Sequence, residues 1–309
     1  MQSLPVIDLA DFSGDGFERC AREIAEACRT IGFFFVVNHG VPASLIDETF
    51  VRSRAFFDEP VGTKAELAIE KIGGNRGYSG MRHEALDPKA GGDWKEAFNI
   101  GLDLRADDPD VLARKPFRVL NAWPATPGFR DTLLAYFDAC TDLALGIHRA
   151  FAFDLRLPLD FFADKFTRPM TTLRLLHYPT TPPGDIGAGE HTDYGNITLL
   201  ATDEVGGLEV KTRSGDWIVA PPMPGAFVVN IGDCLMRWTN DVYVSNPHRV
   251  VNSSGRERYS IAFFFDPNPQ ARVEAIPSCV APGEAARYAP ILAADYLKMR
   301  LDASKPAGA

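Results

Sequence analysis

The chain has 309 residues, 46% of them hydrophobic and 24% charged, enough length to bury a large core in one compact unit. Its 41 acidic residues against 32 lysines and arginines leave a net charge of −9, which offers no electrostatic footprint for a polyanion and argues against nucleic acid as a partner. The opening Met1-Gln2-Ser3-Leu4-Pro5 lacks the blocks of a signal peptide, no apolar run approaches the ~20 residues of a membrane span, and five cysteines without a C-x-x-C pair read as reduced thiols, so a cytoplasmic protein off the membrane is expected.

In chain order, Phe17 to Thr30 carries Cys20, Ile24, Ala27 and Cys28 at helical spacing, continued by Ile31, and Gly32 stands where a C-cap glycine belongs. Phe33 to Val37 reads as a buried strand. Pro42 to Phe57 predicts a second helix with proline near its first turn, and Val61 to Ile69 a third, before Gly73-Gly74-Asn75-Arg76-Gly77 breaks the pattern. Tyr78 to Gly101 has irregular polarity and includes Arg82, His83, Trp94, Phe98 and Asn99. Pro127 to Phe153 predicts the longest helix, whose broad apolar face includes Leu133, Phe137, Ile147 and Phe151 and should brace a sheet from outside.

From Thr172 onward the texture changes to short strand-like runs separated by glycine, proline or charged turns. They are Leu173 to Tyr178, Ile197 to Ala201, Gly207 to Lys211, Trp217 to Ala220, Ala226 to Ile231, Arg249 to Asn252 and Tyr259 to Phe265. The expected class is α+β with a mainly β core: a double-stranded β-helix (jelly roll, cupin-like) flanked by helices. Pro282 to Leu301 predicts a last helix, with Tyr288, Ile291, Leu292, Tyr296 and Leu297 on one face, that would cover an open end of the roll.

Three polar sets interrupt the strand-like half: His191-Thr192-Asp193, Asn246-Pro247-His248-Arg249-Val250 and Arg258-Tyr259-Ser260. Residues i and i+2 of an extended segment point the same way, so His191 and Asp193 can face one metal while Thr192 faces away. His248 would return from several strands later to close the site. Two imidazoles and a carboxylate suit one face of an octahedral Fe(II) ion and leave positions for a bidentate acid and dioxygen. Arg258 and Ser260, again i and i+2, offer a guanidinium fork and a hydroxyl to a carboxylate.

Blander readings compete with each of these. An isolated H-x-D is common by chance, and the pattern gains its weight from the second histidine and the arginine-serine pair. Zinc accepts the same ligands, but no H-E-x-x-H base is present, nor a G-x-S-x-G elbow, a phosphate loop or a dinucleotide fingerprint. Cys234 falls on a run that reads as a buried strand, where a thiol is inert. His39, His148 and His177 read as structural, and Glu190 and Arg249, one residue from a ligand, should face away from the metal.

Taken together these motifs resemble the isopenicillin N synthase-like branch of the 2-oxoglutarate and Fe(II)-dependent dioxygenases, over nearly the whole chain. Leu4-Pro5-Val6-Ile7-Asp8-Leu9 and Gly32 to Val41 match its amino-terminal signature, and Val229-Asn230-Ile231-Gly232-Asp233 the turn before its distal histidine. The resemblance implies Fe(II) on His191, Asp193 and His248, 2-oxoglutarate on Arg258 and Ser260, and O2 as the oxidant, with Tyr178 on a tyrosine that bonds the cosubstrate in many relatives. Many plant relatives carry asparagine where this chain has Leu176, so one polar contact to 2-oxoglutarate is expected to be either absent or replaced by Arg174.

It further implies an amino-terminal region over 1–120, bracing helices over 121–169, the dioxygenase jelly roll over 170–268 and a helical tail over 269–309. The expected reaction is oxidation, in most relatives hydroxylation, of a small molecule with release of succinate and CO2. Arg82, Phe98, Arg174, Asn196, Trp238 and Phe265, with Met236, are substrate-side candidates by proximity in sequence to the motifs; an Arg82 or Arg174 free of ion pairs would point to an acidic substrate. Two other readings remain open here: an Fe(II) oxidase of the isopenicillin N synthase kind that uses no 2-oxoglutarate, and a noncatalytic metal-binding jelly roll acting as a sensor.

Overall fold

The computed structural model describes residues 3–84, 92–180, 186–252 and 254–303. Strand β1 (Val6–Asp8) leads into helix α1 (Phe17–Thr30), which buries Cys20, Ala21, Ile24, Ala27 and Cys28 on one face. Gly32 then turns the chain at φ 67°, where a Cβ would lie 2.1 Å from the Val244 carbonyl oxygen, so only glycine lets the next strand approach. That strand is β2 (Phe33–Val37), followed by α2 (Ala43–Phe57), with Pro42 at its N-cap.

The third predicted helix is two short ones, α3 (Val61–Ala65) and α4 (Ile69–Ile72). Between them Ala68 is extended and bridges Tyr78, while the Leu67 carbonyl accepts from Tyr78 N at 2.7 Å. A long-range backbone contact thus overrides the local periodicity. The irregular segment contains two strands, β3 (Gly77–Ser79) and β4 (Glu96–Gly101), paired antiparallel. Every residue of β4 is buried, so its polar members break the alternation of a half-exposed strand. Glu96 meets Lys64, Tyr78 and His177, and Asn99 meets Asn75.

After α5 (Pro109–Leu112), α6 (Phe129–Asp154) runs 26 residues as the bracing helix. The β-rich half follows as β5 (Thr172–Tyr178), β6 (Ile186–His191), β7 (Ile197–Thr202), β8 (Leu208–Lys211), β9 (Trp217–Ala220) and β10 (Phe227–Ile231), then helix α7 (Asp233–Trp238). Strands β11 (His248–Val251) and β12 (Arg258–Phe265) complete it. Cys234 therefore lies on a helix, not on the expected strand. The amides of Gly232, Asp233 and Cys234 bond the carbonyls of Asn196, Asp193 and Tyr194–Gly195, which bends the chain out of β10. The tail helix is also shorter than expected: Ile291–Leu292 forms β14, paired with β13 (Arg272–Val273), and only Ala293–Ala303 is helical, as α8.

Eight strands form one sheet in the order β1-β2-β10-β7-β12-β5-β4-β3, and four form the other, β6-β11-β8-β9. Alternation divides the large sheet. Phe34, Val36, Phe98, Leu175, Leu199, Val229, Phe263 and Phe265 point outward into the core shared with α1 and α6. Phe33, Phe35, Ala97, Leu176, Tyr178, Val228 and Ala262 point inward, against Leu208, Val210, Ala188 and Val250 of the small sheet. This is the expected jelly roll flanked by helices. No helix among the described residues is long and apolar enough to cross a membrane.

Candidate active site

His191 ends β6 and stands directly opposite His248, the first residue of β11, in the antiparallel register. Cross-strand neighbours in such a pair are close enough to share a ligand. Their ring centroids are 4.2 Å apart. Asp193 follows two residues beyond the strand, and its Oδ1 lies 3.9 Å from His191 Nε2 and 3.8 Å from His248 Nε2. One donor atom from each residue falls within 4.8 Å of the others, the spacing of three ligands around one ion.

The remaining atoms of the cluster are committed to holding it. Thr198 Oγ1 and Asn230 Nδ2 both donate to Asp193 Oδ2, at 2.5 and 2.7 Å, which leaves Oδ1 free. His191 Nδ1 bonds the Gly189 carbonyl at 2.7 Å, fixing the tautomer that bares Nε2. Burial, then the neighbouring His248, holds the His191 imidazole well below its usual range, to about 3. Burial pushes the Asp193 carboxyl up, but His248, His191 and its two hydrogen bonds outweigh it and leave its pKa lowered. A neutral His191 imidazole beside an ionised Asp193 carboxylate matches the protonation states a divalent ion requires of such ligands.

Arg258 and Ser260 are fully buried and meet on the inner face, with Arg258 Nη1 donating to Ser260 Oγ at 3.0 Å. Arg258 Nε donates to the Gly206 carbonyl at 2.6 Å, and its guanidinium carbon lies 4.7 Å from the ring centre of Tyr178, its cross-strand partner. Nη2 is buried without a partner among the described residues. A charged fork held on three sides and open on the fourth fits an incoming carboxylate. His177 faces the other way, stacked on Tyr259 and bonded to Glu96, and Glu190 and Arg249 pair with Lys211 and Glu209 away from the cluster.

Three of the seven substrate-side candidates are elsewhere. Phe98 packs on Phe56 and Phe129, Phe265 stacks on Phe166, and Trp238 meets Phe162 edge-on, all in the outward core. Parity along β4 and β12 sends Phe98 and Phe265 to the helix side, which nearness in sequence does not reveal. Arg174 is on the inner face but is ion-paired to Glu84 at 2.6 Å, so it offers no unpaired charge, either in place of the asparagine that many plant relatives carry where this chain has Leu176 or to an acidic substrate. Arg82 is exposed and lies over Trp94. Asn196 is fully buried just after the Asp193 loop, and neither atom of its side-chain amide has a partner among the described residues. Thr198 and Asn230 went unassigned in the sequence; the one signal was Asn230 within the matched V-N-I-G-D turn.

A family model described as the non-haem dioxygenase N-terminal region in morphine synthesis matches residues 4–126, and the 2OG-Fe(II) oxygenase superfamily model matches residues 169–267. The chain is 37% identical over 307 residues to the 2-oxoglutarate-Fe(II) type oxidoreductase hxnY of Emericella nidulans, covering 95% of this chain and 88% of that one. Among solved structures it resembles a full-length Neurospora crassa protein in complex with alpha-KG and thymine, at 35% identity and a TM-score of 0.87 over 98% and 97% of the two chains. A 2OG-Fe(II) oxygenase family protein from Caulobacter crescentus matches at 33% identity with a TM-score of 0.89, over 99% and 100%. With a donor set that fits Fe(II) and a fork that fits the cosubstrate acid, the chain belongs to the 2-oxoglutarate/Fe(II) oxygenase superfamily, in its isopenicillin N synthase-like branch, and is a non-haem dioxygenase that uses Fe(II), 2-oxoglutarate and O2.

Proposed function

We propose that His191, Asp193 and His248 hold Fe(II) through the two Nε2 atoms and Asp193 Oδ1, and that Arg258, Ser260 and Tyr178 receive the distal carboxylate of 2-oxoglutarate. The observation that carries this reading is the convergence of three donors on one point while the second oxygen of Asp193 is already occupied. When bound, the iron supplies oxygen activation coupled to the oxidative decarboxylation of 2-oxoglutarate to succinate and CO2. Thr198 and Asn230 orient the carboxylate, the Gly189 carbonyl sets the His191 tautomer, and Arg258 fixes where the acid lies. Leu176, Ala188, Val250 and Ala262 line the inner face beside Tyr178 and exclude water.

The substrate is a small molecule and its oxidation a hydroxylation, with Arg174 and Asn196 on the substrate side and Arg82 at the rim. The segments 1–120, 121–169, 170–268 and 269–309 work as one unit, since β2 of the first pairs with β10 of the third. Neither nucleic acid nor membrane is a partner, and five buried, unpaired thiols support a cytoplasmic setting. Adding 2-oxoglutarate anaerobically to the Fe(II) protein should produce a visible charge-transfer band that Asp193→Ala abolishes along with succinate release. A band of wild-type strength in Asp193→Ala would sink the ligand assignment.

A further inference from the structure

Three arginines among the described residues are buried: Arg76, Arg118 and Arg258. Arg118 has Asp110 at 3.9 Å and donates to the carbonyls of Pro169 and Arg168. Arg76 and Arg258 have no carboxylate partner among the described residues. Arg76 uses only Nη1, donating to the Asn75 carbonyl at 3.1 Å and to Thr172 Oγ1 at 3.3 Å, and its Nε is buried without a partner. A charge taken out of water without a counter-charge destabilises the fold unless something else recovers the loss.

Its place in the fold says what that could be. Thr172 pairs with Gly101 on one side and Phe264 on the other, Phe264 pairs with Thr198, and the Thr198 hydroxyl holds Asp193. The Arg76 guanidinium and the iron site therefore stand at two ends of one cross-strand row on the inner face. With strands ~4.8 Å apart, Thr172 is about 10 Å from Thr198, the span of a small organic molecule. Gly101 ends the row because the guanidinium takes the place of its side chain: a Cβ there would lie 1.8 Å from Arg76 Nη2.

We propose that Arg76 is a substrate-binding residue that anchors a carboxylate of the substrate, so that the carbon to be oxidised lies between Arg76 and the iron, over the part-buried Phe264. This rests on the active-site reading above and narrows it to carboxylic acids. Two buried arginines then flank the metal, Arg258 for the acid of 2-oxoglutarate and Arg76 for that of the substrate. Burial, with Arg118 beside it, lowers the Arg76 pKa to about 10, which leaves it charged at neutral pH.

The test is calorimetric titration of the anaerobic Fe(II)·2-oxoglutarate holoenzyme with sodium phenylacetate and with its neutral isostere phenylacetamide. The wild type should bind the acid at least about tenfold more tightly than the amide, Arg76→Gln should bind both alike, and Arg76→Lys should retain part of the preference. A wild type with no preference for the acid overturns the proposal, as does an Arg76→Gln protein that keeps it. The 2-oxoglutarate charge-transfer band, read on the same samples, separates the two assignments: its absence from the wild type overturns the active-site reading itself. Its loss from Arg76→Gln alone means a damaged site, and the decision then passes to the wild-type ratio and the Lys variant.

Discussion

Asp193 divides its two oxygens between two tasks, Oδ2 taking hydrogen bonds from Thr198 and Asn230 and Oδ1 facing the imidazoles. The H-x-D spacing made two of the proposed ligands legible, because i and i+2 share a face in any extended segment. It said nothing of Thr198 or Asn230, which reach Asp193 from β7 and β10 through register. Arg258 is the complementary case, legible as an R-x-S pair, while its open Nη2 is visible only in three dimensions. Truncating one partner of a buried charge pair costs about 2–5 kcal/mol, so Arg258→Ala should raise the KM for 2-oxoglutarate roughly 30-fold or more. Succinate formation against 2-oxoglutarate concentration measures this, and an unchanged KM would show that another cation holds the acid.

Among the elements, α8 has the least obvious part. Arg300 on that helix bonds Asp233 Oδ2, and its guanidinium carbon lies 4.5 Å over the ring of Tyr194. Asp233 Oδ2 also accepts from Thr192 Oγ1 at 2.9 Å, and the Asp233 amide donates to the Asp193 carbonyl at 2.8 Å. The last helix is thereby tied, through α7, to both residues that flank Asp193. Outer contacts of this kind tune metal affinity by about tenfold or more. Arg300→Ala should weaken Co(II) binding up to about tenfold, followed by the cobalt absorption spectrum, with Arg300→Lys recovering part of it. Equal Co(II) affinity in wild type and Arg300→Ala would leave α8 as a cover only. The helix itself was legible from its apolar face, but its start was not, since Ile291–Leu292 gains strand pairing with Arg272–Val273.

At the scale of the whole molecule, α6 clamps the outward face of the large sheet, and His148 sits in the seam. It is ringed by Phe151, Phe162, Phe166 and Phe265 and bonds the Ala144 carbonyl through Nδ1. Burial holds its pKa down to about 4, against an ordinary value of 6.5. The unfolded chain therefore binds this proton at a pH where the folded one does not. Stability from this residue is intact above pH ~6.5 and is lost as pH falls toward ~4, by on the order of 3 kcal/mol. In urea titrations at pH ~7 and pH ~4.5, His148→Leu should lose less stability than wild type on acidification. Parallel losses would assign the acid sensitivity to other groups.

By itself the sequence determined the candidate metal and carboxylate-binding residues and the class of fold. Two-residue spacing placed His191 beside Asp193 and Arg258 beside Ser260, and strand-like runs broken by glycine and proline announced the jelly roll. These are local signals, carried by a few neighbouring residues and the period of a strand. Only the tertiary structure decided which side chains share the site. Register across β6 and β11 set His191 opposite His248, parity turned Phe98 and Phe265 toward the helices, Glu84 claimed Arg174, and Arg76 was left without an acid among the described residues. Such pairings depend on segments far apart in the chain meeting at one place, and no local period encodes them.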